Sequence, residues 1–159
     1  MNLQDLPITY RDMVRDEHID LMGHMNVMYY THFIERATLP LYELFNFGLE
    51  YHTHSGFGSF VIEEHTRYLN EVRLGDAITV FSRLIGRGRK TLHYINFMRR
   101  DRDGALAATM EKMGIHIDLA SRKSAPLPDA MTTAYDALLA EHQSLGWDAP
   151  LSGSMGTKR

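Results

Sequence analysis

Four long stretches with strand character, residues 59–69, 77–85, 91–99 and 106–119, follow one another with only short breaks between them. Strands of this length and spacing commit the middle of the chain to one sheet, antiparallel where the connections are tight. The breaks carry turn chemistry. Gly75-Asp76 precedes the second stretch, Gly86-Arg87-Gly88 separates it from the third, and Asp103-Gly104 is a tight-hairpin pair before the fourth.

The periodicity before this region is different. Residues 8–15 read as a first strand, with Thr9, Tyr10, Met13 and Val14 as its strand formers, and 16–25 as a loop. From Val27 onward, Tyr30, Ile34, Ala37, Leu41 and Leu44 recur at helical spacing, widened by Met28, Phe33 and Phe45. Asn26 is placed to cap this helix and Gly48 to end it, while Pro40 should kink or divide it. An aromatic, glycine-bearing linker is expected over 46–58. A last amphipathic helix is expected over 129–145, with Met131, Ala134, Tyr135, Leu138 and Leu139 as its apolar side. The tail after Trp147 is rich in Gly, Ser and Pro, so the expectation is a single domain over 1–147 and a mobile segment over 148–159. Strand, long helix, then four strands gives an α+β fold with the helix covering one sheet face.

Composition narrows the chemistry. With 159 residues, 44% hydrophobic and 23% charged, the chain can bury an ordinary core. A net charge of −3 argues against a nucleic-acid partner. The absence of cysteine excludes disulfides, thiolate metal ligands and a cysteine nucleophile. No apolar run approaches the ~20 residues of a membrane span, and the first residues lack a secretory pattern, so a cytoplasmic location is expected.

Asp20-Leu21-Met22-Gly23-His24-Met25-Asn26 is the stretch with chemical promise. It sets a carboxylate just ahead of a helix start, where unpaired N–H groups and the dipole stabilise negative charge developing on an oxygen. That pairing suits attack on a carbonyl. Each residue also has a plainer role open to it: Asp20 as a turn former, His24 as a partner for the loop backbone, Asn26 as a helix cap. Glu35 reads as a polar partner for the sheet or for a second copy.

Other chemistries find less support. His52-Thr53-His54 would set two imidazoles on one side of a strand, but no third ligand is in view, and no metal is expected. Gly56-Phe57-Gly58-Ser59-Phe60 lacks the second glycine of a nucleophile elbow. No phosphate-cradling loop with a lysine occurs.

In this order of elements the chain resembles the hot-dog fold acyl-CoA thioesterases, in particular the 4-hydroxybenzoyl-CoA thioesterase-like group. The resemblance rests on the 20–26 stretch, on Tyr30 and Phe33-Ile34-Glu35-Arg36-Ala37, and on Tyr68-Leu69-Asn70-Glu71-Val72-Arg73-Leu74-Gly75-Asp76. It implies a curved antiparallel sheet wrapped around a long helix, and a homodimer or dimer of dimers with its sites between subunits. It implies further that Asp20 is the catalytic carboxylate, as nucleophile or as base on water. The N–H of Val27 or an immediate neighbour would polarise the thioester carbonyl, with His24 and Asn26 beside them. The substrate would be an acyl-CoA, with no separate cofactor.

Hot-dog thioesterases of carnitine breakdown, which act on betainyl-CoA, have a loop similar to Gly23-His24-Met25-Asn26. Tyr42, Phe45, Phe47, Tyr51, Phe57 and Phe60 are either core or an aromatic cage for such a cationic acyl group. The basic hairpin of Arg87, Arg89 and Lys90 is either a solvated turn or a grip on the CoA phosphates. Two rival functions stay open at this point: a hot-dog hydratase or dehydratase with Asp20 and His24 as acid and base, and a non-catalytic acyl-CoA-binding module.

Overall fold

The computed structural model describes residues 1–156. In chain order its elements are β1 (Ile8–Met13), α1 (Val27–Arg36), α2 (Thr38–Glu43), α3 (Leu49–His54), β2 (Phe57–Tyr68), β3 (Ala77–Arg87), β4 (Thr91–Arg100), β5 (Leu106–Asp118), β6 (Lys123–Ser124) and α4 (Asp129–Gln143). The strands form one curled antiparallel sheet in the order β1-β3-β4-β5-β2, with β6 beside β5.

This is not a simple meander. Short turns hold β3, β4 and β5 side by side as hairpins, but β2 pairs with β5 at one edge. Residues 69–76 then carry the chain across the sheet to β3. Crossing three strand spacings takes about 14 Å, well within the reach of eight residues.

Helix α1 lies on the inner sheet face. Tyr30, Phe33, Ile34 and Ala37, spaced at one helical face, pack on Ile78, Val80, Met98, Ala108 and Met110, which alternate along their strands. The helix expected from Val27 to Gly48 is divided, as Pro40 requires. Proline has no N–H for the Arg36 carbonyl four residues back, and its ring crowds that carbonyl, so α1 stops there and Ala37 turns the chain into α2.

The 46–58 segment differs from the expected linker, because α3 lies within it. His52 and His54 are therefore helical and do not share one side of a strand. Their Nδ1 atoms sit 2.8 and 3.1 Å from the Gly48 and Glu50 carbonyls, local contacts within the helical turn.

The C-terminal segment also departs from expectation. The outer sheet face carries Phe81, Ile95 and Phe97, which must be covered, and Leu145, Trp147 and Ala149 lie over them. Arg83 stacks 4.3 Å from the Trp147 ring centre, and Glu111 accepts the Ser152 N–H at 2.6 Å. The segment expected to be mobile from 148 is thus docked as far as Ser152. Residues 157–159 of it lie outside the described residues.

His142, at the end of α4, accepts the Leu84 N–H through Nδ1 at 2.9 Å and is buried. Burial, reinforced by the Arg83 charge, pushes its pKa down to about 4. An unfolded imidazole binds its proton near pH 6.5, so between those values the unfolded state holds the extra proton. Stability should fall as pH drops from about 6.5 toward 4. We expect the melting temperature to decline across that window, and to decline less in His142→Gln, whose side-chain carbonyl can accept the same N–H. Equal declines would show that His142 does not carry the effect.

Candidate functional site

Asp20 begins a tight five-residue tip, 20–24, closed by a bridge between Ile19 and Met25. Its N–H donates to the His24 carbonyl and its own carbonyl accepts from Gly23, both at 3.0 Å. Gly23 sits at φ +78°, where a side chain would be strained, so the glycine is what lets the tip close. Below the tip, Asn26 N–H donates to His18 O at 2.9 Å and Met25 N–H to Val72 O at 2.7 Å. The second bond pins the loop to the 69–76 crossing. That is how two distant stretches of sequence come together.

The Asp20 carboxylate is half committed. Oδ1 accepts the Met22 N–H at 2.8 Å, the turn-forming role. Oδ2 lies 3.6 Å from His24 Nδ1, too far for a hydrogen bond, and remains available. His24 itself is half-exposed, its Nδ1 3.4 Å from the Met25 carbonyl.

Asn26 caps α1, its Oδ1 accepting from Met28 N–H at 3.0 Å, and its carbonyl takes the Tyr29 N–H. The first helical N–H, that of Val27, meets no acceptor among the described residues. It stands at the positive end of the helix dipole.

Asp20, His24, Met25 and Val27 line one cavity of about 370 Å³. Tyr30, Tyr68, Leu69, Asn70 and Glu71 complete its wall. Asp20, whose Oδ2 accepts no hydrogen bond and has only His24 Nδ1 nearby, and Val27, whose N–H meets no acceptor, thus line the same cavity. The last four of these wall residues escape a reading of local pattern. They reach the site only through the crossing, and the Met25–Val72 bond is invisible in sequence. A larger cavity of about 440 Å³ opens around Glu43, Glu50, Tyr51 and His54, but there the first helical N–H, that of Leu49, is already taken by Glu43 Oε1 at 2.7 Å.

Other expected residues fall elsewhere. The Arg87, Arg89 and Lys90 hairpin is at the far end of β3, roughly 30 Å along the strand from the Asp20 end. Arg87 is held by both oxygens of Asp136 at 2.6 and 2.5 Å, and Lys90 by Ser124. Within one chain these groups do not reach the Asp20 cavity. Glu35 pairs with Lys112, a fully buried lysine on β5 that also has Glu64 at 3.8 Å, so it is a partner for the sheet.

The six aromatics do not form a cage. Phe45 and Phe47 have no exposure and Tyr42 has 3%. They pack on one another, on Tyr94 and on Tyr135. Phe57 stacks on His116, and Phe60 carries Arg122 over its ring. Tyr51 borders the cavity beside Glu43 and Tyr42 a smaller one beside Glu35, so the six share no common space, and the rest are core and surface packing. Among the described residues, no three metal-ligating side chains converge.

The model of the thioesterase-like superfamily matches residues 14–135. The chain is 29% identical over 137 residues to a betainyl-CoA thioesterase of Pseudomonas aeruginosa, a match covering 86% of each chain. It is 32% identical over 126 residues to an L-carnitine dehydrogenase/betainyl-CoA thioesterase of Agrobacterium fabrum. That match covers 79% of this chain but 25% of the longer relative. In structure it is similar to a hypothetical protein of Staphylococcus aureus solved in complex with CoA, with a TM-score of 0.83 and 25% identity over 96% of this chain and 97% of that one. The helix held against a curled antiparallel sheet is the hot-dog arrangement.

Proposed function

Because the chain belongs to the thioesterase-like superfamily, we propose that it hydrolyses a small acyl-CoA to the free acid and CoA, with Asp20 as the reacting carboxylate. One observation carries this reading: Asp20, with an Oδ2 that accepts no hydrogen bond, and Val27, with an unpaired N–H, line one cavity. A thioester carbonyl is electrophilic and its thiolate leaves readily, so one carboxylate and one aligned donor suffice. Attack on the carbonyl carbon, by Oδ2 or by a water that Oδ2 deprotonates, drives charge onto the carbonyl oxygen. The Val27 N–H and the α1 dipole stabilise that charge. Collapse expels the CoA thiolate; where water attacked, the free acid results directly, and where Oδ2 attacked, an Asp20–acyl anhydride remains that a water hydrolyses to release the acid and regenerate the carboxylate. His24 lies at the mouth and orients the incoming group, and Asn26 keeps the helix start rigid.

The acyl group we propose is betainyl, as in the Pseudomonas aeruginosa relative. Its uncharged isostere, 3,3-dimethylbutanoyl-CoA, has the same shape without the cation. A ring face favours a quaternary ammonium by ~0.5–2 kcal/mol, so the charged substrate should have the higher kcat/KM by about 2- to 30-fold. Equal or reversed preference would remove the cationic acyl group from this reading.

The same reading includes a homodimer, and β2 supports it. This 12-residue strand is paired on one side only and exposes Phe60, Val61 and Ile62 in its first half. An open apolar edge of this length is a template for another strand. Antiparallel pairing of β2 with its copy would bring the 57 end of one chain beside the 68 end of the other. The 87–90 hairpin of one copy then lies toward the Asp20 end of its partner, which is how Arg89 could meet CoA phosphates. We expect light scattering to give a dimer or a dimer of dimers at micromolar concentration. A fully active monomer would refute this.

A further inference from the structure

We propose that Tyr68, packed against Tyr30, is the residue that selects a quaternary ammonium on the acyl group, receiving the cation against its ring face beside Asp20. This rests on the acyl-CoA reading of the site and assigns its substrate selectivity to a residue of the 69–76 side of the cavity.

Tyr68 is the last residue of β2 and pairs with Ala108, which faces α1. Cross-strand partners point the same way, so the Tyr68 ring is directed to the inner face and the cavity. There it meets Tyr30 at 5.2 Å between ring centres and 78° between planes. Tyr30 is buried, but Tyr68 is 51% exposed. Its hydroxyl makes no hydrogen bond among the described residues, so it is not there as a structural tie. A half-open ring at the rim of a cavity with a free carboxylate is a surface the core does not need.

The chemistry of the wall favours a cation. The lining residues include two carboxylates, Asp20 and Glu71, and no lysine or arginine. Glu71 pairs with Arg73 at 2.5 Å, so its carboxylate already has a partner. What remains to meet a ligand is the Asp20 carboxylate, the His24 imidazole and the two rings. A trimethylammonium group cannot donate a hydrogen bond, and ring faces and nearby negative charge are the features that recognise it. In a betainyl thioester the nitrogen is two bonds from the carbonyl carbon. A cation so placed must share the cavity with the reacting carboxylate.

The test is the ratio of kcat/KM for betainyl-CoA to that for 3,3-dimethylbutanoyl-CoA, in wild type, Tyr68→Leu and Tyr68→Phe. The ratio should fall from its wild-type value of about 2- to 30-fold toward one in Tyr68→Leu and stay near wild type in Tyr68→Phe, which keeps the ring face. Calorimetric Kd values for the two matching non-hydrolysable thioethers should change in the same order, a reading that does not depend on turnover. A wild-type ratio near one would remove the cationic substrate itself. A wild-type preference that survives intact in Tyr68→Leu, in both measurements, would overturn the assignment of Tyr68 and leave the substrate standing.

Discussion

Asp20→Asn should lower kcat by about 10²- to 10⁴-fold, the usual cost of losing a general base or nucleophile, with an equal loss in kcat/KM. The substitution separates the two roles of this residue. Asn keeps an oxygen to accept the Met22 N–H, so the turn that Asp20 Oδ1 builds survives. It replaces the free Oδ2 by an amide nitrogen that can neither attack nor take a proton. Circular dichroism and melting temperature should therefore match wild type. Asp20→Ala should lose the turn contact as well as the chemistry. Were Asp20 only a turn former, Asn would be near-silent in kcat and Ala alone would be harmful.

Val27→Pro should lower kcat by about 10²- to 10³-fold, the range seen when one donor to a developing oxyanion is removed. Proline deletes the Val27 N–H and nothing else the helix needs, since that position has no intrahelical bond to lose and proline is favoured there. The residue before it must be extended, and Asn26 already is, at φ −59° and ψ 140°. Val27→Ala retains the donor and serves as the control for the lost side chain. A Val27→Pro enzyme with wild-type kcat and an intact fold would show that the helix start does not hold the carbonyl oxygen.

These two predictions rest on neighbours in sequence, and that is why this half of the site was legible. Asp20, Gly23, Asn26 and Val27 fall within eight residues, so local turn and capping chemistry places them together. The strands were legible for a similar reason, because alternation and glycine turns are local signals. Pairing was not. That β2 lies beside β5 depends on which strands the short turns hold together, and the residues of the crossing reach Asp20 only through a tertiary bond. Tyr68 and Glu71 were therefore within a stretch of noted resemblance but had no visible role. The aromatic residues of 42–60 show where sequence leaves two readings open. Ring density alone fits a core or a cage, and Phe45 and Phe47 fill the space between α2, α4 and the sheet. The helix at 49–54 was hidden because six residues with two histidines and a threonine carry little helical preference.

Thiol release from a panel of short, branched, aromatic and charged acyl-CoAs puts the whole reading at risk. The chain has no cysteine, so every thiol detected is CoA's own. We expect at least one member of the panel, with betainyl-CoA foremost, to yield one thiol and one carboxylic acid per thioester consumed, and Asp20→Asn to suppress both together. Consumption of an enoyl-CoA by hydration with the thioester left intact, or tight binding across the panel with no thiol released, would show that the Asp20 cavity is not a thioesterase site.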